Sequence, residues 1–173
     1  MSPDNTRRDF IKLSTAALAS TAITAKSYAA INGANDRVRV GIIGFGDRMK
    51  GGDIPAFMAS AKELNFELVA VSDIWNRRRE EGSDYLCKLC DKKIDPVRNN
   101  DELYARKDID AVIIATADFQ HAQHGIEAVK AGRDAYVEKP TAHTMPDARA
   151  FLKAVNDSKQ VIAVGTQRRS TPS

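Results

Sequence analysis

The sequence predicts an α/β fold, a doubly wound parallel sheet with helices on both faces. Three observations predict it. Apolar runs of four to seven residues are continuous rather than alternating, helical stretches separate the runs, and a glycine-punctuated turn follows the first run directly. A strand buried on both sides has no solvent face, so β-branched residues can follow one another without interruption, as Val38, Val40, Ile42 and Ile43 do.

The elements follow in order. After a polar linker over 30–36, "AINGAND", a strand is predicted over 37–43, a helix over 54–62 and a second strand over 66–72. A highly charged helix covers 75–90. A short strand over 94–97 contains Pro96, which cannot donate to a ladder and so suits a sheet edge. A short helix over 101–105, a buried strand over 111–116 and a helix over 120–131, stopped by Gly132, come next. The pattern closes with a strand over 134–137, a helix over 145–156 with Pro146 in its first turn, and a last strand over 161–165.

The turn after the first strand is "GFGDR". A backbone without Cβ at Gly44 and Gly46 lets a pyrophosphate approach main-chain N–H groups at a helix N-terminus, which makes Gly44, Phe45, Gly46, Asp47 and Arg48 candidate cofactor residues. A lone G-x-G also serves purely structural turns. Asp73, at the end of the second strand, adds to it as an acceptor for adenosine ribose hydroxyls, with a helix N-cap ahead of Trp75 as its competing role. Met49 stands where a third small residue is expected. With Gly51 and Gly52 just after it, this predicts a longer loop, a helix beginning at 53–55 with Asp53 as its cap, and Arg48 near the phosphates, offsetting Asp47.

Composition bounds the function. At 173 residues, 43% hydrophobic and 28% charged, the chain has the make-up of a globular protein with room for one good core. Its net charge of +3 divides into +2 over 1–29 and +1 beyond, which leaves no clustered basic face for nucleic acid. The first residues, "SPDNTRRDFIK" followed by "LSTAALASTAITA", resemble a twin-arginine export signal, with cleavage expected after Ala29. A plain N-terminal helix is the alternative, and the apolar part is short of the roughly 20 residues a membrane anchor needs. Cys87 and Cys90 have no second pair and His121, His124 and His143 are not at zinc spacing, so no metal site is expected and both thiols are expected to pack inward.

Several signatures agree: G-x-G after the first strand, Asp73, "ATADFQHAQHGIEAVKAG", "YVEKP" and "VGTQRR". Together they resemble the N-terminal domain of the Gfo/Idh/MocA oxidoreductases over residues 37–170, with Glu138-Lys139-Pro140 the most specific part. The resemblance implies a Rossmann-type NAD-binding domain, NADP being possible, followed by a second α/β domain that forms the substrate pocket. It implies that Lys139 is catalytic, in substrate binding and proton transfer, and that Glu138 lies by the nicotinamide ribose. Thr116 and Ala117 would pack against the nicotinamide half, His121 matches the last histidine of the family's loop, and Arg168 would emerge beside the nicotinamide. Ala117 and Phe119 stand where relatives often carry proline and histidine. His124 and His143 are read as helix-surface residues.

The division implied is 1–29 signal, 30–36 linker, 37–170 dinucleotide-binding domain, and 171–173 the start of a substrate domain that the chain lacks. For the full-length protein the expectation is an exported oxidoreductase, periplasmic or extracellular, acting on a sugar or polyol with a tightly bound cofactor. Its expected partners are that small-molecule substrate, the twin-arginine export machinery and further copies of itself in a homo-oligomer, with no nucleic acid and no stable membrane anchor. Two alternatives stand beside it: a redox-neutral glycosidase that returns its NAD unchanged, and a non-catalytic nucleotide-binding fragment. Asp73 favours NAD by repelling a 2′-phosphate, whereas Arg77, Arg78 and Arg79 close behind could bind one.

Overall fold

β1 (Val38–Ile43) occupies the middle of the sheet, because Val40, Ile42 and Ile43 are all buried and only an interior strand covers both faces. The computed structural model describes residues 37–166 and Arg169. The expected signal and linker over 1–36, and Arg168, lie outside the described residues. On one side of β1 lie β2 (Phe66–Ser72) and β3 (Asp95–Val97). On the other lie β4 (Ala111–Ile114), β5 (Asp134–Glu138) and β6 (Ile162–Gly165).

The order is β3-β2-β1-β4-β5-β6 and every described pairing is parallel. This is the doubly wound arrangement expected, with Pro96 on the edge strand β3. The order reverses between β1 and β4, and register brings Ser72, Ile43 and Ile114 level at the strands' carboxyl ends. A crevice therefore opens there, where the connections leave in opposite directions.

Alternation along the strands sorts the core into two layers. Ile42 and Ile113 pack with Phe45, Met49, Leu68 and Leu86 under α1 (Ile54–Ser60) and α2 (Asn76–Cys90). Ile43 and Ile114 pack with Leu103, Val112 and Phe151 under α3 (Asn100–Ala105), α4 (His121–Lys130) and α5 (Met145–Asn156). α3 starts where Asn99 Oδ1 accepts from the Glu102 N–H at 2.8 Å, and α5 where Thr144 accepts from the Asp147 N–H with Pro146 in the first turn. Among the described residues no helix is long and apolar enough to cross a membrane.

One expectation fails here. The chain is already helical at Asp47, and Met49–Asp53 forms a π-turn that runs into α1 without a break, so the helix does not wait until 53–55. Asp53 caps nothing: its side chain is buried and paired with Arg48 at 2.8 Å. Met49, rather than standing the helix off, is fully buried in the core between helix and sheet. Gly52 has a packing reason, since a Cβ there would sit 2.5 Å from Arg48 Nη1.

The cysteines behave as packing residues. Cys87 Sγ accepts from the Ile94 N–H at 3.2 Å, burial pushes the Cys90 thiol up, and no metal-holding cluster occurs among the described residues.

Candidate functional site

The site grows from the turn after β1. Gly44 has φ +85°, donates its N–H to Ser72 O at 2.8 Å, and would place a Cβ 2.8 Å from both Ala115 O and Thr116 Cγ2. Only glycine satisfies that conformation and that contact. The Phe45 side chain then turns inward, fully buried against Tyr85 and over Gly82, where a Cβ would meet the ring at 2.8 Å. Phe45 is thus an anchor of the loop rather than a side chain facing a ligand, and a large ring immobilised here holds the turn on α2. A Cβ on Gly46 would meet nothing within 4 Å, so the outer side of the turn is open.

Asp73 locks the loop. Its Oδ2 accepts from the Phe45 N–H at 2.9 Å and its Oδ1 from the Trp75 N–H at 2.8 Å. It orders the entry to α2 without being its cap residue, and it borders the cavity. That cavity, about 620 Å³, lies over the β1/β4 reversal, a size suited to a small organic cofactor. Gly44, Gly46, Asp47 and Arg48 form one wall, Ser72, Asp73 and Ile74 another, and Thr116 and Ala117 a third. A helix N-terminus beside the Asp73 carboxylate and the apolar Ile74 has the chemistry an extended dinucleotide needs.

Of the expected site residues, the structure gathers Gly44, Gly46, Asp47, Arg48, Asp73, Thr116 and Ala117 at this cavity. It does not bring the side chains of Phe45, His121, Glu138 or Lys139 to its lining. His121 is buried, with Nδ1 2.7 Å from Pro140 O and Nε2 3.2 Å from Thr116 O, and so staples the loop after β4 to the loop after β5. Glu138 is 2% exposed and turned to Arg48 Nη2 at 2.7 Å, and its Oε2 accepts from the Lys139 N–H at 3.0 Å. Lys139 itself is exposed at the carboxyl end of β5, before a cis bond to Pro140.

Arg48 does not offset Asp47 as expected. It reaches Asp53 and Glu138, and Arg78 takes Asp47 at 3.1 Å instead, because the π-turn carries the guanidinium down toward β5. The Asp53 carboxyl is pushed up to about 6, first by burial and then by the Glu138 charge, which together outweigh Arg48.

His124 corrects another expectation. Instead of facing solvent from the helix, it is half-buried on the cavity wall, with Nδ1 3.2 Å from Thr116 Oγ1, and burial holds its imidazole below the ordinary range. Gln120 and Glu127 share that wall. Asn100 links Ser72 Oγ at 3.0 Å to Glu127 Oε2 at 3.5 Å. The periodicity of α4 alone could not reveal this polar floor, which depends on how α3 and α4 meet the strand ends.

The three arginines behind Asp73 are occupied. Arg77 stacks over the Trp75 indole at 4.4 Å, Arg78 holds Asp47 and Glu81, and Arg79 donates to Asp73 O and Asn76 Oδ1.

Residues 38–166 match the family model described as the oxidoreductase family with an NAD-binding Rossmann fold, Gfo/Idh/MocA. The chain belongs to the Gfo/Idh/MocA family. It is 34% identical over 136 residues to inositol 2-dehydrogenase of Rhizobium meliloti (strain 1021), covering 78% of this chain and 38% of that protein. It is 33% identical over 109 residues to 4-carboxy-2-hydroxymuconate-6-semialdehyde dehydrogenase of Sphingobium sp. (strain NBRC 103272 / SYK-6), covering 63% and 34%. Among solved structures, the WlbA dehydrogenase of Chromobacterium violaceum, in complex with NADH and UDP-GlcNAcA, superposes with a TM-score of 0.67 at 25% identity. That match covers 77% of this chain and 36% of that one. This Gfo/Idh/MocA chain thus spans little more than a third of the length of the relatives it matches.

Proposed function

We propose that this chain is the NAD-binding part of an exported oxidoreductase that acts on a sugar or polyol and keeps its cofactor tightly bound. The observation that carries the reading is the Gly44–Gly46 turn, whose Phe45 N–H is held by Asp73 beside the cavity at the β1/β4 reversal. The pyrophosphate lies at the N-terminus that starts at Asp47, with the adenosine ribose toward Asp73 and the nicotinamide toward Thr116, Ala117 and the end of β5. When bound, the nicotinamide supplies a hydride acceptor or donor. Lys139 binds the substrate and moves the proton of the reacting hydroxyl, and Arg168 completes that end. A second domain closes the substrate pocket, and copies of the full-length protein assemble into a homo-oligomer.

NAD is the preferred cofactor. The Asp73 carboxylate opposes a 2′-phosphate, and Arg77, Arg78 and Arg79 are already engaged. Export through the twin-arginine machinery carries a folded, loaded protein, which matches a cofactor captured before the protein reaches the periplasm or the medium. The test is a titration of this chain with NAD and NADP, followed by incubation of the full-length protein with polyols and sugars while reduced nicotinamide absorbance is recorded. Saturable NAD binding and polyol-dependent reduction support the reading. A folded chain that binds neither nucleotide overturns it.

A further inference from the structure

Arg48, Asp53 and Glu138 form an ion cluster in which the two acids are buried and the Arg48 side chain is 43% exposed, bordering the cavity. One guanidinium nitrogen, Nη2, lies 2.8 Å from Asp53 Oδ1 and 2.7 Å from Glu138 Oε1. Both acids are 2% exposed, and Asp53 Oδ2 is buried with no hydrogen-bond partner. Two buried carboxylates facing one cation would leave a surplus negative charge, so the arrangement is neutral only when one carboxyl keeps its proton.

The chain is shaped to admit this cluster from both ends. Arg48 and Asp53 are five residues apart, a spacing that an α-helix sends to different faces and a π-turn brings to one, and the π-turn is Met49–Asp53 itself. Gly52 leaves room for the guanidinium on the helix side. On the sheet side Gly165 of β6 leaves room for the acid, since a Cβ there would come 2.8 Å from Glu138 Oε1 and 2.6 Å from the Tyr136 hydroxyl. The Tyr136 hydroxyl in turn reaches Glu138 Oε1 at 3.5 Å.

We propose that Arg48 is a positioning residue: by holding Glu138 against Asp53 it fixes the carboxylate that receives the Lys139 N–H, and so ties the place where Lys139 emerges to the helix that starts the phosphate turn. Asp53, whose carboxyl is pushed up by burial, completes the charge balance. The Arg48 head group thereby serves the lysine end of the site while the residue still borders the cavity. The functional meaning of this tie rests on the proposed role of Lys139, whereas the tie itself does not.

The experiment follows two main-chain amide signals in the NMR spectrum of this chain, that of Lys139, which donates to Glu138, and that of Phe45, which donates to Asp73. In Arg48→Met the Lys139 signal should move and its hydrogen exchange should quicken by about threefold or more, while Phe45 stays in place. Arg48→Lys should restore part of the effect, and Asp53→Asn, which keeps an oxygen for Arg48, should leave Lys139 where it is. Should Arg48→Met not fold, Glu138→Gln replaces it, with the same Lys139 change expected and the same Phe45 control. An unchanged Lys139 signal in the folded variant, or equal changes at both amides, overturns the proposal. Titrating the same samples with NAD keeps the two readings apart: a wild-type chain that binds no NAD, while Arg48→Met shows the Lys139 change, refutes the cofactor reading alone.

Discussion

The Phe45 N–H donates to Asp73 Oδ2 at 2.9 Å, so the carboxylate at the end of β2 is fastened to the glycine turn at the end of β1. In the proposed cofactor site this pair acts as one unit, because the proposed ribose acceptor also sets the shape of the loop proposed to receive the phosphates.

Replacing Asp73 with alanine removes the acceptor of two main-chain N–H groups. The expected cost is about 2 kcal/mol of stability, since the site is half-buried, together with at least about a tenfold loss of NAD affinity. Urea unfolding and calorimetric titration check the two effects separately.

Gly44→Ala should cost more. The position needs φ +85°, and the new methyl would press on Ala115 O at 2.8 Å, both of them backbone constraints that a side-chain movement cannot relieve. A loss of roughly 2 to 3 kcal/mol is expected, with NAD binding abolished or nearly so. Gly46→Ala, where the Cβ meets no protein atom, should unfold at nearly the wild-type urea concentration yet bind NAD less well, because the methyl enters the ligand's space.

Asp53 gives a pH dependence of unusual sign. Its carboxyl is held up to about 6 in the folded chain, from an ordinary value of 3.8, so the folded state keeps a proton that the unfolded chain releases. The contribution is fully present below the unfolded value and is lost as pH rises through about 6, on the order of 3 kcal/mol in all. Unfolding at a series of pH values should show this decline in the wild type and its absence in Asp53→Asn.

Cofactor choice is a separate prediction. NAD should bind this chain at least about tenfold more tightly than NADP, and Asp73→Ser should narrow the gap by removing the opposing charge. Titration of both proteins with both nucleotides measures it.

Much of this was legible in the residues, for a physical reason. Strands buried on both faces must be continuously apolar, and a turn that needs positive φ must carry glycine, so β1, β4 and Gly44 declare themselves locally. The Pro96 edge strand and Pro146 in the first turn of α5 belong to the same class of short-range constraint. What stayed hidden depends on partners far away in the chain. Gly51-Gly52 reads as a loop because glycine disfavours helix, and nothing local says that Arg48 will reach Glu138, 90 residues on, and make room for itself by widening the turn. His124 was misplaced for a similar reason, since Thr116 and the meeting of α3 with α4 put it on the cavity wall. Phe45 sits between two glycines and looks like part of a ligand-facing turn, yet Gly82 of α2 opens the space that buries it.

The most direct test of the account is a titration of the folded chain with NAD in which Trp75, next to the cavity-lining Ile74 and the only tryptophan, reports by fluorescence. The account predicts a saturable change that is lost in Gly44→Ala and weakened in Asp73→Ala. If the folded wild type shows no saturable change and calorimetry detects no heat of binding either, the cavity at the β1/β4 reversal is not a dinucleotide site and the central claim is wrong.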